Sequence, residues 1–493
     1  MKKLFSFLFV LVVLWLGATW YIGKQVDPQM QRYFQDVNSR FATQMGLQYH
    51  LKPVQKGFFA STYDLEVNAT LPLYAKMLQS FPPELRRVRL NVEHGPLFFL
   101  HGLGFGLARI TSTQPFKLYK KVLEPAGLTL QPETGAVHTQ ATVSFARQLH
   151  FEARGDAFTL INTEANSSAH IAPVTLDADI DPWTYVGHYS MSTPSIEVTA
   201  PRAKTPAFQM KDLRLAGHID AMLQGTLFLG DMTMEAAHML IHPPKEDTID
   251  LTPRFEFALR SEGNGTVGLD YNGAIRVLSG TLPGLATSIV SAEEKLHLGG
   301  LSQKGLESFY SEIRRLQNEQ IHLYNAMVTQ QNRPEVMAKS LVKLQALQQK
   351  MQTAMILSLG EMLLPKRSTL SLHLAVGTHN NPDNHADAKL RFIGTLPKGD
   401  AQAIQRTLLT RAPELFTLDA ETRFGKTFLQ EFGPQGIRFN AMLALAMKQG
   451  FVSEEQGAFI SSLHYTPQSL IINKKPMPQL LMMFKMMGGR GLK

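Results

Sequence analysis

Hydrophobic and polar positions change their spacing twice along the chain, and each spacing predicts a different kind of element. Residues 4–22 are an uninterrupted run of apolar or small residues, 19 in all. At roughly 1.5 Å per residue, a helix of that length just spans a hydrocarbon core of ~30 Å. Lys2 and Lys3 precede the run and Lys24 follows it. This basic bias predicts a transmembrane helix over 4–22, with residues 1–3 in the cytoplasm and everything after Lys24 on the far side. Trp15, Trp20 and Tyr21 lie toward its outer end, where aromatic rings favour the interface. A cleaved signal peptide is the competing reading. It would need a cut after Thr19, and the apolar run continues past that point.

A helical period follows. Val26, Met30, Phe34, Val37, Phe41 and Met45 recur at steps of three and four, which predicts a juxtamembrane amphipathic helix over 24–46. Asp27 is placed to cap it and Pro28 to sit in its first turn. The stripe either packs on the chain's own domain or serves self-association.

From Leu47 the period becomes two. Phe59, Ser61, Tyr63, Leu65, Val67, Ala69 and Leu71 share one face of a strand, and the residues between them are mostly polar. That is the texture of an antiparallel sheet with one wet side. It recurs, less cleanly, at 88–92, 136–145, 150–163, 169–180, 213–222 and 226–241, the last two pairing around Gly225. Residues 255–277 carry two turn signals, Gly263-Asn264-Gly265 and Asn272-Gly273.

Residues 305–331 and 334–364 lose the alternation and are rich in Leu, Gln, Glu, Lys and Ala, with Asn332-Arg333-Pro334 as the turn between two helices. Alternation then returns at 370–376, 386–395, 415–422, 458–465 and 470–473, with a short helix at 436–448 and an amphipathic stretch at 478–487. The expected fold is a β-rich α+β chain. A long antiparallel meandering sheet (47–299 and 365–493) carries a helical hairpin insert (300–364) and is preceded by one N-terminal transmembrane helix.

Composition narrows the function classes. Of 493 residues, 44% are hydrophobic and 18% charged, which excludes general disorder. The net charge is +8, and three of those charges flank the apolar run, so no nucleic-acid footprint remains. With no cysteine, disulfides, thiolate metal sites and thiol nucleophiles are excluded.

Candidate chemistry is sparse. The 16 histidines are dispersed. Glu235, His238 and His242 have a spacing that would meet a metal on a helix, but they stand in a strand pattern and lack the His-Glu-x-x-His order. His94-Gly95-Pro96 fits a tight strand exit in which Gly95 takes positive φ. Gly102, Gly104 and Gly106 alternate with Leu103, Phe105 and Leu107, as in close packing or in a loop that dips into lipid. Asp177, Asp179 and Asp181 fit a solvated edge. No Gly-x-Ser-x-Gly elbow, P-loop or EF-hand loop occurs. No catalytic, cofactor-binding or metal residue is assigned, no cofactor is expected, and the chain is not read as an enzyme.

Several segments resemble the YdgA-like family of Gram-negative envelope proteins. Trp20-Tyr21-Ile22-Gly23-Lys24 closes the apolar run as in that family. Lys56-Gly57-Phe58-Phe59-Ala60-Ser61 stands where the family has Arg-Gly-x-Phe-Ser-Ser, and His94-Gly95-Pro96-Leu97 resembles its turn. Residues 459–465 and 470–473, followed by an apolar helix, resemble its C-terminal hairpin. The likeness covers roughly the first 100 and last 40 residues. Lys56 and Ala60 depart from the pattern. The resemblance implies an inner-membrane anchor and a periplasmic β-rich domain, and supplies no reaction. The one-faced sheet is similar in kind to AsmA-like groove proteins implicated in lipid traffic, an analogy of fold only.

The expectation is therefore a single-pass protein of the bacterial inner membrane, bulk periplasmic, acting in binding or as a scaffold, with lipid acyl chains on its apolar sheet face. The alternative is a homo-oligomeric structural protein. An envelope hydrolase would need a cleft of converging His, Asp and Ser residues. Expected partners are the membrane, a phospholipid and a second copy of the chain, with no nucleic acid.

Overall fold

Within each of two compact units, period-two alternation becomes an antiparallel meander in which each long strand pairs with the long strand before it. The computed structural model describes residues 2–42, 46–71, 75, 78, 81–100, 102–201, 206–223, 227–243, 247–280, 289–329, 333–428, 431 and 442–489; side chains at 2–9, 42, 328–329, 334, 484 and 486–489 are outside that description. The chain divides into two compact units, 1–228 with 318–343 and 229–317 with 344–493.

In the first unit the ladder runs through β1 (Leu47–Lys56), β2 (Ala60–Ala69), β3 (Arg87–His94), β4 (Ala108–Pro115), β5 (Ala136–Val143), β6 (Leu149–Gly155), β7 (Val174–Ile180), β8 (Gly187–Thr199) and β9 (Phe208–Leu223). Directly opposed residues of neighbouring strands share a face. Val92, Ile110, Ala141, Phe151, Ala178 and Tyr189 are successive cross-strand partners and form one apolar row. Glu93, Arg109, Thr142, His150, Asp179, His188 and His218 form a row on the opposite wall.

Two expected strands are each divided. Residues 150–163 become β6 and Phe158–Asn162, and 169–180 become Ser167–Ile171 and β7, parted at Ala172-Pro173 where proline offers no backbone N–H. Phe158–Asn162 pairs with Leu128–Gln131 and with Ser167–Ile171, which joins the far end of β8. Asp177 and Asp179 lie on β7, which is paired on both sides, so the expected solvated edge is corrected to an interior strand. The expected turn at Gly225 lies outside the described residues.

The N-terminal helix also departs from expectation. α1 (Lys2–Val37) is continuous, with Pro28 inside it, and leads into a π-helical turn at Asn38–Ala42. No new helix starts at Asp27, whose carboxylate instead pairs with Lys56 Nζ at 2.5 Å. Proline in a helix interior forfeits a backbone hydrogen bond. Here Val26 and Met30, on either side of it, are buried against Leu51, Tyr63, Val92 and Ala108, and this packing holds the helix through the proline. Among the described residues no helix is long and apolar enough to cross a membrane. The side chains of 4–9, part of the expected span, lie outside the described set, as does Met45 of the expected stripe.

In the second unit the ladder runs β10 (Leu227–Glu235), β11 (Ile249–Gly263), β12 (Thr266–Ser279), β13 (Ile289–Ser302), β14 (Thr369–Thr378) and β15 (Asn384–Phe392). Between β13 and β14 the chain forms α2 (Gln303–Thr329) and α3 (Pro334–Met362), of which residues 318–343 belong to the first unit. α4 (Ala401–Leu415) precedes β16 (Phe416–Gly425), and β17 (Ala458–Thr466), β18 (Ser469–Ile472) and α5 (Pro478–Gly489) complete it. Phe257, Tyr271, Leu296, Leu372, Ala388, Ala420 and Leu463 are successive partners and form another apolar row.

Asn272-Gly273 is not a turn. It lies mid-strand in β12, opposite Glu256 and Phe255, and the chain reverses only at Gly263-Asn264-Gly265, all three at positive φ. The Tyr271 hydroxyl lies 2.6 Å from where a Gly273 Cβ would stand, so the tyrosine covers the gap in the strand. α4 was not expected. Asp400 caps it by accepting from the backbone N–H groups of Gln402 and Ala403, and Ile404 and Leu415 close a core with Phe392 and Leu396. Of the expected 436–448 helix, 442–448 are helical and 436–441 lie outside the described residues.

Ile404 is fully buried. Ile404→Ala should destabilise the protein by about 2–5 kcal/mol through lost transfer energy and a residual cavity. Urea denaturation should show a lower midpoint at unchanged slope.

Candidate functional site

The apolar stripe of α1 packs on the first sheet through Val26 and Met30, with Ile22 and Phe34 beside them. Gly23 permits the close approach there, since a Cβ at that position would stand 2.6 Å from His94 Nδ1. Between the helix and the rest of the wall lies a cavity of about 850 Å³. Its wall includes Leu90, Ile110, Ala141, Leu149 and Phe151, and α1 contributes Ile22, Val26 and Met30. The volume falls in the range of small-molecule sites, ~300–1,000 Å³, which are lined mainly by apolar groups with a few polar ones.

Polar groups at the cavity include Gln25, Gln29, Arg32 and Tyr33 from α1, Trp183 after β7, and Arg147. Arg147 stands at positive φ in the tight turn between β5 and β6. Arg32 lies 5.1 Å over the Trp183 ring. Among the described residues, neither Arg32 nor Arg147 has a carboxylate partner. Both side chains are exposed.

One end of the site is braced. Asp181 Oδ1 accepts from the backbone N–H groups of Trp183 and Thr184 at 2.8 Å, and these bonds, Thr184's first, hold its carboxyl below the usual range. The Trp183 ring meets Tyr33 edge-on at 6.3 Å. Tyr185 donates to Asp36 Oδ2 at 3.1 Å, and Asp36 also pairs with Arg40 at 2.7 Å. Burial, then Tyr33 and Asp36, push the Tyr185 hydroxyl far up, so it stays protonated and keeps donating. Thus the turn after β7 pins the C-terminal half of α1.

Behind the apolar wall, on the opposite face of the sheet, lies a buried pair. Arg109 and Glu93, opposite each other on β4 and β3, are joined at 3.3 Å with both side chains almost fully buried. Glu93 accepts the Leu100 N–H at 2.7 Å, and Arg109 donates to the Gly102 carbonyl at 2.7 Å. His94 is buried, with Nδ1 donating to the Phe58 carbonyl at 3.1 Å, and burial pushes its pKa down. Gly95 is required for a different reason than expected. It does not take positive φ; a Cβ there would run into the Gly106 carbonyl.

The other residues singled out from the sequence do not converge. His238 Nδ1 contacts Asp250 at 3.1 Å and His242 contacts Thr248 at 2.8 Å. Among the described residues no group of His, Asp and Glu is arranged to hold a metal ion. Asp179 lies between His150, at 2.7 Å, and His188, at 3.2 Å. Glu152, then Asp179, push the His150 pKa up. The same motif recurs on the second unit as His297–Asp270 at 2.6 Å and His373–Asp387 at 2.7 Å. Such exposed pairs stabilise by ~0–1 kcal/mol each. Neither Arg147 nor the Glu93–Arg109 pair stood out in the sequence. The one signal that could have pointed to the pair is that Glu93 and Arg109 both stand on polar positions of apolar runs.

The chain belongs to the family of bacterial proteins of unknown function designated DUF945, whose family model matches residues 1–479. It is also similar to the Uncharacterized protein YihF of Escherichia coli (strain K12), 30% identical over 137 residues, which is 24% of this chain and 28% of that protein. The chain thus matches under a third of the length of that relative. No solved structure matches the chain.

His94 links stability to pH. Folded, its pKa is lowered; unfolded, it binds a proton below about 6.5. Its contribution is therefore full above pH ~6.5 and is lost as pH falls toward the folded value. His94→Asn should lose less thermal stability than the wild type between pH 7 and pH 5. Equal losses in the two proteins would contradict this.

Proposed function

We propose that this DUF945-family chain is a membrane-tethered binding protein of the bacterial envelope, not an enzyme, and that it holds the acyl chain of an anionic amphiphile beneath α1. The observation that carries this reading is the incomplete cover of the apolar wall: α1 seals it beside Val92 and Ala108, and leaves a cavity of about 850 Å³ over Ile110, Ala141 and Phe151. Burying hydrocarbon there stabilises the complex by about 0.8 kcal/mol per CH₂. Arg32 and Arg147, exposed and without carboxylate partners among the described residues, fit a carboxylate or phosphate headgroup, which guanidinium binds through two parallel donors.

The tether is the apolar run 4–22, which lies within α1. Val10, Leu11, Val12, Val13 and Leu14 are exposed large apolar side chains, as suits a lipid-facing helix. With Lys2 and Lys3 ahead of it, the N-terminus is cytoplasmic and the sheets are periplasmic. The narrower likeness to YdgA-like envelope proteins agrees with this placement. A second reading, a structural homo-oligomer, is favoured by α5, where Met482 and Met483 are exposed. The stripe of α1 gives it less support, because Val26 and Met30 are already buried on the chain's own sheet.

Native mass spectrometry of the full-length protein, released from mild detergent and paired with lipid extraction, tests the reading. The wild type should carry one anionic amphiphile per chain. Ala141→Phe, which fills the cavity, should remove it while the protein stays folded, as read by circular dichroism. Charge reversal by Arg32→Glu with Arg147→Glu should shift bound lipid away from anionic classes. A lipid-free wild type would overturn the reading, and oligomer peaks in the same spectrum would favour the second.

A further inference from the structure

The segment between β3 and β4 is an apolar hairpin held from below by the buried Glu93–Arg109 pair. Leu97–Phe98 pairs with Gly104–Phe105, Phe98 packs 4.8 Å under the Arg109 guanidinium, and Gly102 and Gly106 stand at positive φ. A Cβ at Gly104 would strike the Arg109 side chain, so the glycines fit the hairpin tightly onto its support. What the hairpin turns outward is apolar. Phe99 is 45% exposed, Leu100 54%, Leu103 78% and Phe105 69%. Between Gly95 and Leu107 the only titratable residue is His101. Four large apolar side chains turned to solvent on a supported hairpin mark an interaction surface.

Its position relative to α1 indicates the partner. Phe99 contacts the Trp15 ring at 6.1 Å and Phe59 at 5.6 Å, and Phe59 stacks on Trp15 at 5.5 Å. Trp15 precedes Ile22, the end of the apolar run, by seven residues. That is roughly 10 Å of helix rise. A hairpin packed beside Trp15 therefore lies at the depth of the outer leaflet whenever residues 4–22 span the bilayer. We infer that the 97–105 hairpin is a wedge inserted into the outer leaflet of the membrane that anchors the chain. This inference rests on the tether in the reading above, and not on the acyl-chain cavity. The wedge fixes the first sheet against the membrane surface at a set height, with Phe58 and Phe59 alongside it.

Because the chain has no cysteine, single thiols report position cleanly. Full-length Val12→Cys, Leu103→Cys and Ala165→Cys, each carrying an environment-sensitive fluorophore, are reconstituted into vesicles of phosphatidylethanolamine and phosphatidylglycerol. Val12 probes the tether, Leu103 the wedge, and Ala165 an exposed turn. Nitroxide-labelled lipids should quench the labels at 12 and 103 several-fold and leave 165 bright, whereas aqueous iodide should do the reverse. A label at 103 that behaves like 165 while 12 reports lipid overturns the wedge and leaves the tether standing. Labels at 12 and 103 that both report water overturn the tether and the wedge together. Lipid quenching at both 12 and 103 supports the wedge, lipid quenching at 103 with 12 in water overturns the tether and with it the depth assigned to the wedge, and the cavity is tested separately by its bound amphiphile.

Discussion

An unbroken antiparallel register is the constraint on which the first unit depends. When each strand pairs with the strand before it, apolar positions of successive strands fall beside one another, and Val92, Ile110, Ala141, Phe151, Ala178 and Tyr189 merge into one wall. Such a wall must be covered or occupied, since apolar area left in water costs about 25 cal/mol per Å². α1 covers one end. Its passage over the rest is set by two fixed contacts, Gly23 against His94 and Tyr33 against Trp183, and the cavity is the space between them.

The opposite wall follows from the same register with the other half of the residues. It gathers Glu93, Arg109, His150, Asp179, His188 and His218 into a row, which brings histidines and carboxylates together without creating a site. His150 and Asp179 are each about half exposed and His188 more so, and the pairs are spread along strands. The buried member of the row, the Glu93–Arg109 pair, acts differently: removing either partner would leave a buried charge uncompensated, and the chain uses the pair to fix the 97–105 hairpin. An apolar wall, a charged wall and a supported hairpin are thus three results of one pairing scheme.

The elements that could be read from the sequence are those whose local pattern and tertiary role agree. The strand holding Tyr63 and Leu65 alternates because one side of it is buried, and the helical hairpin keeps helix-forming composition on either side of Pro334. Where tertiary contacts override local preference, the pattern misleads. Asn272-Gly273 carries a turn signal, yet Tyr271 covers Gly273 and the strand runs on. Pro28 carries a helix-start signal, yet Val26 and Met30 hold the helix through it. α4 has only Ile404 and Leu415 buried and so shows a weak stripe. β8 alternates Tyr189 and Met191 with serines and contains Pro194, which hides it. The apolar character of the sheet was legible, and the cavity was not. Ile110, Ala141 and Phe151 become neighbours only through register, and Arg147 reaches the rim only through the turn at 144–148.

The central claim is that hydrocarbon from another molecule, and not the chain's own side chains, fills the space over Ala141. A photo-crosslinking amino acid placed at position 141 of the full-length protein in living cells tests this most directly, with the products read by mass spectrometry. The account predicts an adduct with a lipid acyl chain. Crosslinks confined to Val26, Met30 or other residues of α1, with no lipid adduct, would contradict it.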